Sequence, residues 1–458
     1  MFKLPNELQQ LEVTNSKLIS WVIELDDSQF QVVEYFYKAK NFSDTRYFWQ
    51  TPDQSFSLVG IGEVCSFVSQ NYQEMYQHQL HLANNTLSNS HHFGTGAILL
   101  GGFPFDEMVD SSATWAQLGN GYMFLPDILV TEDKGKHWLT FNILAESRDS
   151  LLAQWKQLND TWKNISQTVV KNINQSQLIH ATEKHVPEWL ETVEMAIEEI
   201  QSDSDIKKIV LARELAVESD EVLSVDRLVE QLLLEQKNTY CFALEGQDVA
   251  FVGATPERLL FLQDNVVSTA CVAGSIPRGK TTKEDELLGQ TLLDDMKNQS
   301  EHYIVVEAIE NEMKKLTNTL SEQGKPTLLK NRDIQHLFFP FSGVKRPNVS
   351  FFDAINQLHP TPALGGKPKD KTTQWIRKNE PISRGLYGSP IGWCSVIREE
   401  GEFAVGIRSA VISEKKATLY AGCGIVADSN PLEELEETRV KFQPMLRAIG
   451  GDKYVASK

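Results

Sequence analysis

The run Lys208-Ile209-Val210-Leu211-Ala212-Arg213 puts an amine at the head of an apolar segment, with a second cation five residues on. Strand alternation sends Lys208, Val210 and Ala212 to one face and Ile209, Leu211 and Arg213 to the other. A lysine held against an apolar sheet gives up its proton more readily, because desolvation disfavours the ammonium form. The free amine is then a general base able to activate water. The competing reading is a solvated edge lysine whose stem snorkels. Glu257, in Gly253-Ala254-Thr255-Pro256-Glu257-Arg258, reads as a turn residue after a strand. It is either a surface carboxylate or, with a raised pKa, an acid that protonates a leaving hydroxyl.

Other groups could hold an anion or a metal. Glu301 has Ile304, Val305 and Ala308 as its neighbours three, four and seven positions along a helical pattern. A carboxylate on the apolar side of a helix needs a partner, and a metal ion is one. Glu434, Glu437 and Lys441 share a helix face by three- and four-residue spacing. Carboxylates from two helices suit Mg2+, a hard cation that takes few protein oxygens. A chain with 62 Asp and Glu also carries such pairs as solvated faces, so spacing leaves both readings open. Ala273-Gly274-Ser275-Ile276-Pro277-Arg278-Gly279 and Ala421-Gly422-Cys423-Gly424 read as small-residue turns whose backbone N–H groups could hold an anion. Arg408 reads as a cation in an apolar strand, gripping a carboxylate or pairing with a core acid. His91-His92 lies on a polar stretch and reads as a solvated loop rather than a metal site.

The elements that must position these groups change character along the chain. Residues 1–185, rich in Gln, Asn and Ser, carry apolar islands such as 56–60 and 96–105, which read as strands of an extended sheet. Residues 186–458 hold the candidate chemistry. A helix over 187–200 leads into the Lys208 strand, and strands follow over 240–244, 249–253, 259–262 and 266–273. One long helix is expected from Thr281-Thr282-Lys283-Glu284, a capping-box signature, through Leu287, Leu288, Leu292, Met296, Val305, Val306 and Ile309. Strands return over 403–413 and 417–422, and a last helix starts with Asn430 as N-cap and Pro431 in its first position. The mix argues for an α+β fold with large antiparallel β-sheets rather than a doubly wound parallel sheet.

With 458 residues the chain can bury a large core. A net charge of −18, with no basic block to offset it, argues against nucleic acid and anionic membrane as partners. No apolar run reaches spanning length and the N-terminus lacks a signal-peptide core. Five scattered cysteines, never in a Cys-x-x-Cys pair, read as reduced, mostly buried thiols. A cytoplasmic location is expected, with no obligate protein partner evident.

Taken together the segments resemble the chorismate-utilising enzymes, most closely the isochorismate synthases. Nine pieces match in the family's order: 208–213, 253–258, 273–279, 297–302, 334–337, 359–366, 384–393, 403–409 and 421–441. The N-terminal half matches loosely, through Gly102-Phe103-Pro104-Phe105-Asp106. The resemblance implies a fold with central antiparallel sheets and helices outside, residues 186–458 being the chorismate-binding catalytic region. It implies that Lys208 deprotonates water for attack at C2 of chorismate and that Glu257 protonates the departing C4 hydroxyl. Glu301 and Glu437 would bind Mg2+, with Glu434 in support. Arg408 and Tyr387 would hold the enolpyruvyl carboxylate and Lys441 the ring carboxylate, helped by backbone N–H groups near Gly274 and Gly424. Ser275, Ala363 and Leu364 complete the implied substrate site.

Three positions choose within the family. Anthranilate synthases carry Gln where Lys208 stands, and aminodeoxychorismate synthases carry a nucleophilic lysine where Ala273 stands. Salicylate-forming members and anthranilate synthases carry Thr where Ala363 stands, in His359-Pro360-Thr361-Pro362-Ala363-Leu364-Gly365-Gly366. All three point to a Mg2+-dependent synthase that stops at isochorismate, serving menaquinone synthesis by the look of its long N-terminal half. The rivals are a salicylate synthase, isochorismate supply for a catechol siderophore, and a non-catalytic acidic binding protein.

Overall fold

Apolar runs bounded by turn residues become strands buried along their length, such as Phe56–Ile61 and Ile98–Gly102. A computed structural model describes residues 2–450 apart from 14, 27–30, 110–111, 171–177, 203–204 and 322–323, and without the side chains of 178, 179, 297 and 301. Among the described residues the strands form two sheets, of 13 and 10 strands. One parallel pairing, of Lys17–Leu25 with Thr86–Ser88, stands in sheets that are otherwise antiparallel among the described residues. Both halves of the chain enter both sheets. Arg46–Gln50 pairs with Tyr240–Glu245 in the larger sheet, and Ile98–Gly102 with Pro390–Ser395 in the smaller.

The two sheets face each other across an aromatic core that includes Trp49, Phe242, Phe251 and Tyr420 from the larger sheet and Phe124 and Trp393 from the smaller. Helices cover the outer faces. Val225–Glu235 and Pro431–Ile449 pack on the larger sheet, and Met296–Leu316 and Phe351–Leu358 on the smaller. This is the expected α+β architecture. All five cysteines are free, four of them buried. No helix among the described residues is long and apolar enough to cross a membrane.

Several local expectations need correction. The single long helix is two, Thr282–Asp294 and Met296–Leu316, broken at Asp295 with its extended backbone. Leu292, Val305 and Ile309 of the expected stripe are buried, but Leu287 and Met296 are exposed, so the stripe does not run through the break. Thr281 does cap the first helix, accepting from Glu284 N–H at 3.2 Å. The strand expected over 403–413 is also two, Gly401–Val405 in the smaller sheet and Ser409–Ser413 in the larger. Arg408 therefore lies at the crossing between sheets, with φ 50°, rather than inside a strand. The small-residue segments are not turns. Residues 273–277 belong to the strand Val266–Pro277, with a bulge at Gly274 (φ 78°), and 421–424 to the strand Lys416–Ile425. The last helix starts as expected, Asn430 accepting from Leu432 N–H and Glu433 N–H at 3.0 and 3.3 Å.

A buried ion cluster fastens the halves. Arg46 donates to Asp226 at 2.9 Å, to Glu245 at 2.6 Å and to Phe36 O at 2.6 Å. Burial raises the pKa of both acids, and Arg46 opposes the rise. Removing one member of a buried pair leaves an uncompensated charge. Arg46→Ala is expected to cost ~3 kcal/mol or more in urea denaturation, with Arg46→Lys intermediate. Stability equal to that of the native chain would show that the cluster does not fasten the halves.

Candidate active site

The chain crosses from one sheet to the other at residues 256–257, between Ala250–Thr255 and Arg258–Gln263, and again at residues 406–408. The crossings lie side by side. Ala254 N–H donates to Arg408 O at 3.1 Å and Val405 N–H to Glu257 O at 3.0 Å. Glu257 and Arg408 both line a cavity of about 300 Å3 between the sheets.

The Lys208 strand, Lys208–Ser219, forms one wall, and its alternation is the one read from sequence. Lys208, Val210 and Ala212 line the cavity. Ile209 and Leu211 enter the opposite core, and Arg213 bonds Glu183 and Thr438 beneath the helices. On the neighbouring strand Gly424 stands opposite Val210 and Gly422 opposite Ala212. A Cβ at Gly422 would sit 2.9 Å from Leu211 O and 3.1 Å from Tyr387 Oη. The small residues read as turns thus leave space beside the lysine and let Tyr387 approach.

The remaining walls carry both signs of charge. Lys208 and Glu257 are nearly fully buried, 2% and 4% exposed. Burial pushes the Glu257 carboxyl up to about 7, against a 3.4 Å hydrogen bond from Thr361 Oγ1 and the charges of Arg408 and Lys208. The carboxyl therefore holds its proton well above the pH at which an exposed glutamate loses it. Arg408 has its pKa lowered by burial while Tyr387, Glu437 and Glu257 support its charge. Tyr387 is buried and stacks on Tyr420 at 5.3 Å. Lys441 donates to Gly422 O at 2.8 Å and pairs with Glu437 at 2.5 Å. That pairing holds the half-exposed Glu437 carboxyl below its ordinary range. Glu434 is displaced upward by burial and by the charge of Glu437. Its Oε2 is buried without a hydrogen-bond partner.

Gly274, Ser275, Ala363, Leu364 and Gly424 also line the cavity. The fold thus gathers every site residue expected from sequence except Glu301. That residue falls in the helix Met296–Leu316, but its side chain lies outside the described residues. Among the described residues no group of three His, Cys, Asp or Glu could hold a metal. His336, Asn298 and Arg384 line the cavity without having been singled out. His336 bonds Ser275 Oγ at 2.7 Å, and burial beside Arg408 and Lys441 lowers its pKa to about 3, so it is neutral. All three stood inside matched segments; only Arg384 carried a further signal, a glutamate four residues before it.

Residues 6–450 match the family model of the chorismate binding enzymes. The chain belongs to that family. Isochorismate synthase MenF of Bacillus subtilis (strain 168) is 35% identical over 453 residues, 96% of this chain and 95% of that protein. The salicylate biosynthesis isochorismate synthase of Pseudomonas aeruginosa is 30% identical over 77% of this chain and 75% of its own length. Among solved structures, the menaquinone-specific isochorismate synthase MenF from Escherichia coli shares the fold with a TM-score of 0.81, at 24% identity and covering 97% of both chains. In this chorismate-binding enzyme the cavity between the sheets is the candidate active site.

A carboxyl whose folded pKa exceeds its ordinary 4.5 binds its proton more tightly in the native state. That stabilisation is complete below about pH 4.5 and is lost as pH rises through about 7. Glu257→Gln lacks it. Its stability relative to the native chain is expected to rise by about 3 kcal/mol over that interval in urea denaturation. A difference independent of pH would show that Glu257 ionises as an ordinary surface acid.

Proposed function

We propose that this chorismate-binding enzyme is an isochorismate synthase, an isomerase that adds water at C2 of chorismate and expels the C4 hydroxyl. The observation that carries the reading is the pairing of Lys208 with a carboxyl raised to about 7, Glu257, on the walls of one cavity. A base and an acid on one cavity can divide the two proton transfers. Lys208 takes the proton of the attacking water. Glu257 gives its proton to the leaving hydroxyl as the ring double bonds shift. One water enters and one leaves, so the product is an isomer of the substrate.

The substrate is a dianion, and the net charge of −18 opposes its approach. Arg408 and Tyr387 are proposed to take the enolpyruvyl carboxylate and Lys441 the ring carboxylate. The backbone near Gly274 and Gly424 assists, and Ser275, Ala363 and Leu364 shape the walls. The donor set also fits Mg2+. Glu434, whose Oε2 is buried without a hydrogen-bond partner, and the neighbouring Glu437 would supply oxygen ligands for a hard cation, with Glu301 the third proposed ligand. Such an ion, when bound, supplies charge neutralisation for the ring carboxylate. Glu437, paired with Lys441 at 2.5 Å, would give up that partner to bind the ion.

Ala363 favours a synthase over the salicylate-forming reading, since members that expel pyruvate carry threonine there. Service to menaquinone synthesis is supported by the match to MenF over 96% of this chain, against 59% for isochorismate synthase DhbC of the same Bacillus subtilis strain.

Purified protein given chorismate and Mg2+ is expected to yield a chorismate–isochorismate mixture by chromatography, and much less after chelation. Salicylate with pyruvate would move the protein to the lyase branch. Lys208→Ala should lower kcat by about 10²–10⁴-fold with the fold intact. A folded, fully active variant would remove Lys208 from the mechanism.

A further inference from the structure

One edge of the Lys208 strand has a gap. Lys208 and Ile209 pair there with Lys367 and Gly366. From Leu215 onward the strand pairs on that side with Leu178–Glu183. Between these pairings two side chains meet the backbone. Ala212 N–H donates to Glu380 Oε2 at 2.7 Å, and Arg384 Nη2 donates to Val210 O at 2.7 Å. A carboxylate and a guanidinium thus take the place of a strand, one as acceptor and one as donor.

The two side chains also grip each other. Arg384 Nε and Nη2 reach the two Glu380 oxygens, each at 2.6 Å, with the side chains 4% and 2% exposed. The geometry is bidentate, which fixes direction as well as distance. Arg384 Nη1 donates to Leu364 O at 3.0 Å, and Tyr387 N–H donates to Arg384 O at 2.8 Å. The guanidinium carbon lies 4.1 Å from the centroid of Phe105, whose N–H donates to Gly385 O at 2.8 Å. Phe105 comes from the one N-terminal motif that the catalytic reading left without a role. All three guanidinium nitrogens donate to protein acceptors, so Arg384 reaches the chemistry through its neighbours rather than by holding substrate.

We infer that Glu380 and Arg384, seated on Phe105, are a positioning pair that holds the Lys208 strand, the Leu364 segment and Tyr387 in one frame around the reacting ring. A buried pair brings directional hydrogen bonds rather than net stability, and here those bonds end on the backbone of the strand that carries the base. The inference rests on the proposed reading of the cavity as the site of isochorismate formation.

The test uses full-length Arg384→Lys, which keeps the charge but loses the fork, and Phe105→Leu, which removes the ring and leaves the pair. Chorismate turnover is measured alongside the rate at which an amine-reactive reagent modifies Lys208, read by peptide mass spectrometry. Arg384→Lys is expected to lower kcat about a hundredfold with KM nearly unchanged, and to alter the Lys208 labelling rate several-fold. Phe105→Leu should give a smaller change of the same kind, and carries the test if Arg384→Lys fails to fold. Native kcat and labelling in folded variants would overturn the inference. So would a raised KM at unchanged kcat, which would make Arg384 a substrate ligand. A native protein that makes no isochorismate refutes the functional reading instead, and the labelling rates then decide the positioning role by themselves.

Discussion

Two backbone hydrogen bonds, Ala254 N–H to Arg408 O and Val405 N–H to Glu257 O, hold together the places where the chain passes between its sheets. The rest of the site depends on them. A crossing interrupts the alternation of a strand, so a side chain there can point along the gap between sheets instead of into a core. Gly406 and the left-handed backbone of Arg408 make one crossing, and Pro256 stands in the other. Glu257 and Arg408 are thereby carried by adjoining backbone, and Lys208 lines the same cavity from a strand with ladders on both sides.

The electrostatics follow from that placement. An acidic chain can hold a dianion only where cations are gathered and water is thinned, because charge interactions strengthen as the local dielectric falls. Burial near Glu257 raises its pKa, while Arg408 and Lys208 limit the rise, leaving a carboxyl poised near neutrality. On the same cavity, Lys441 keeps Glu437 ionised while Glu434 is pushed the opposite way by burial and by the charge of Glu437. The two glutamates share a helix face yet differ in proton affinity.

Much of this was legible in the residues. Alternation over 208–213 was enough to assign the faces of the strand, because one side is cavity and the other core. The cap at Asn430 was legible because capping is local chemistry. The expectations that failed did so where local pattern met long-range demand. Residues 421–424 look like a turn in isolation; they are a strand whose glycines leave room for Tyr387 and for the cavity. Residues 403–413 look like one strand, and nothing local says that the chain changes sheets at Gly406. Arg384 was passed over because its meaning is a gap in a ladder formed by three distant segments. The gathering of site residues was expected from family resemblance, not from spacing: on spacing alone, Glu434 and Glu437 read more readily as a solvated helix face.

The central claim is that the cavity between the sheets directs water to C2 of chorismate while the C4 hydroxyl departs. The most direct test is turnover in H2 18O under conditions too brief for the reverse reaction to accumulate, with the product analysed by mass spectrometry. Isochorismate carrying one solvent oxygen at C2 is the predicted result. Isochorismate formed without solvent oxygen would contradict the account, because the hydroxyl would then have moved within the substrate and Lys208 would have no water to activate.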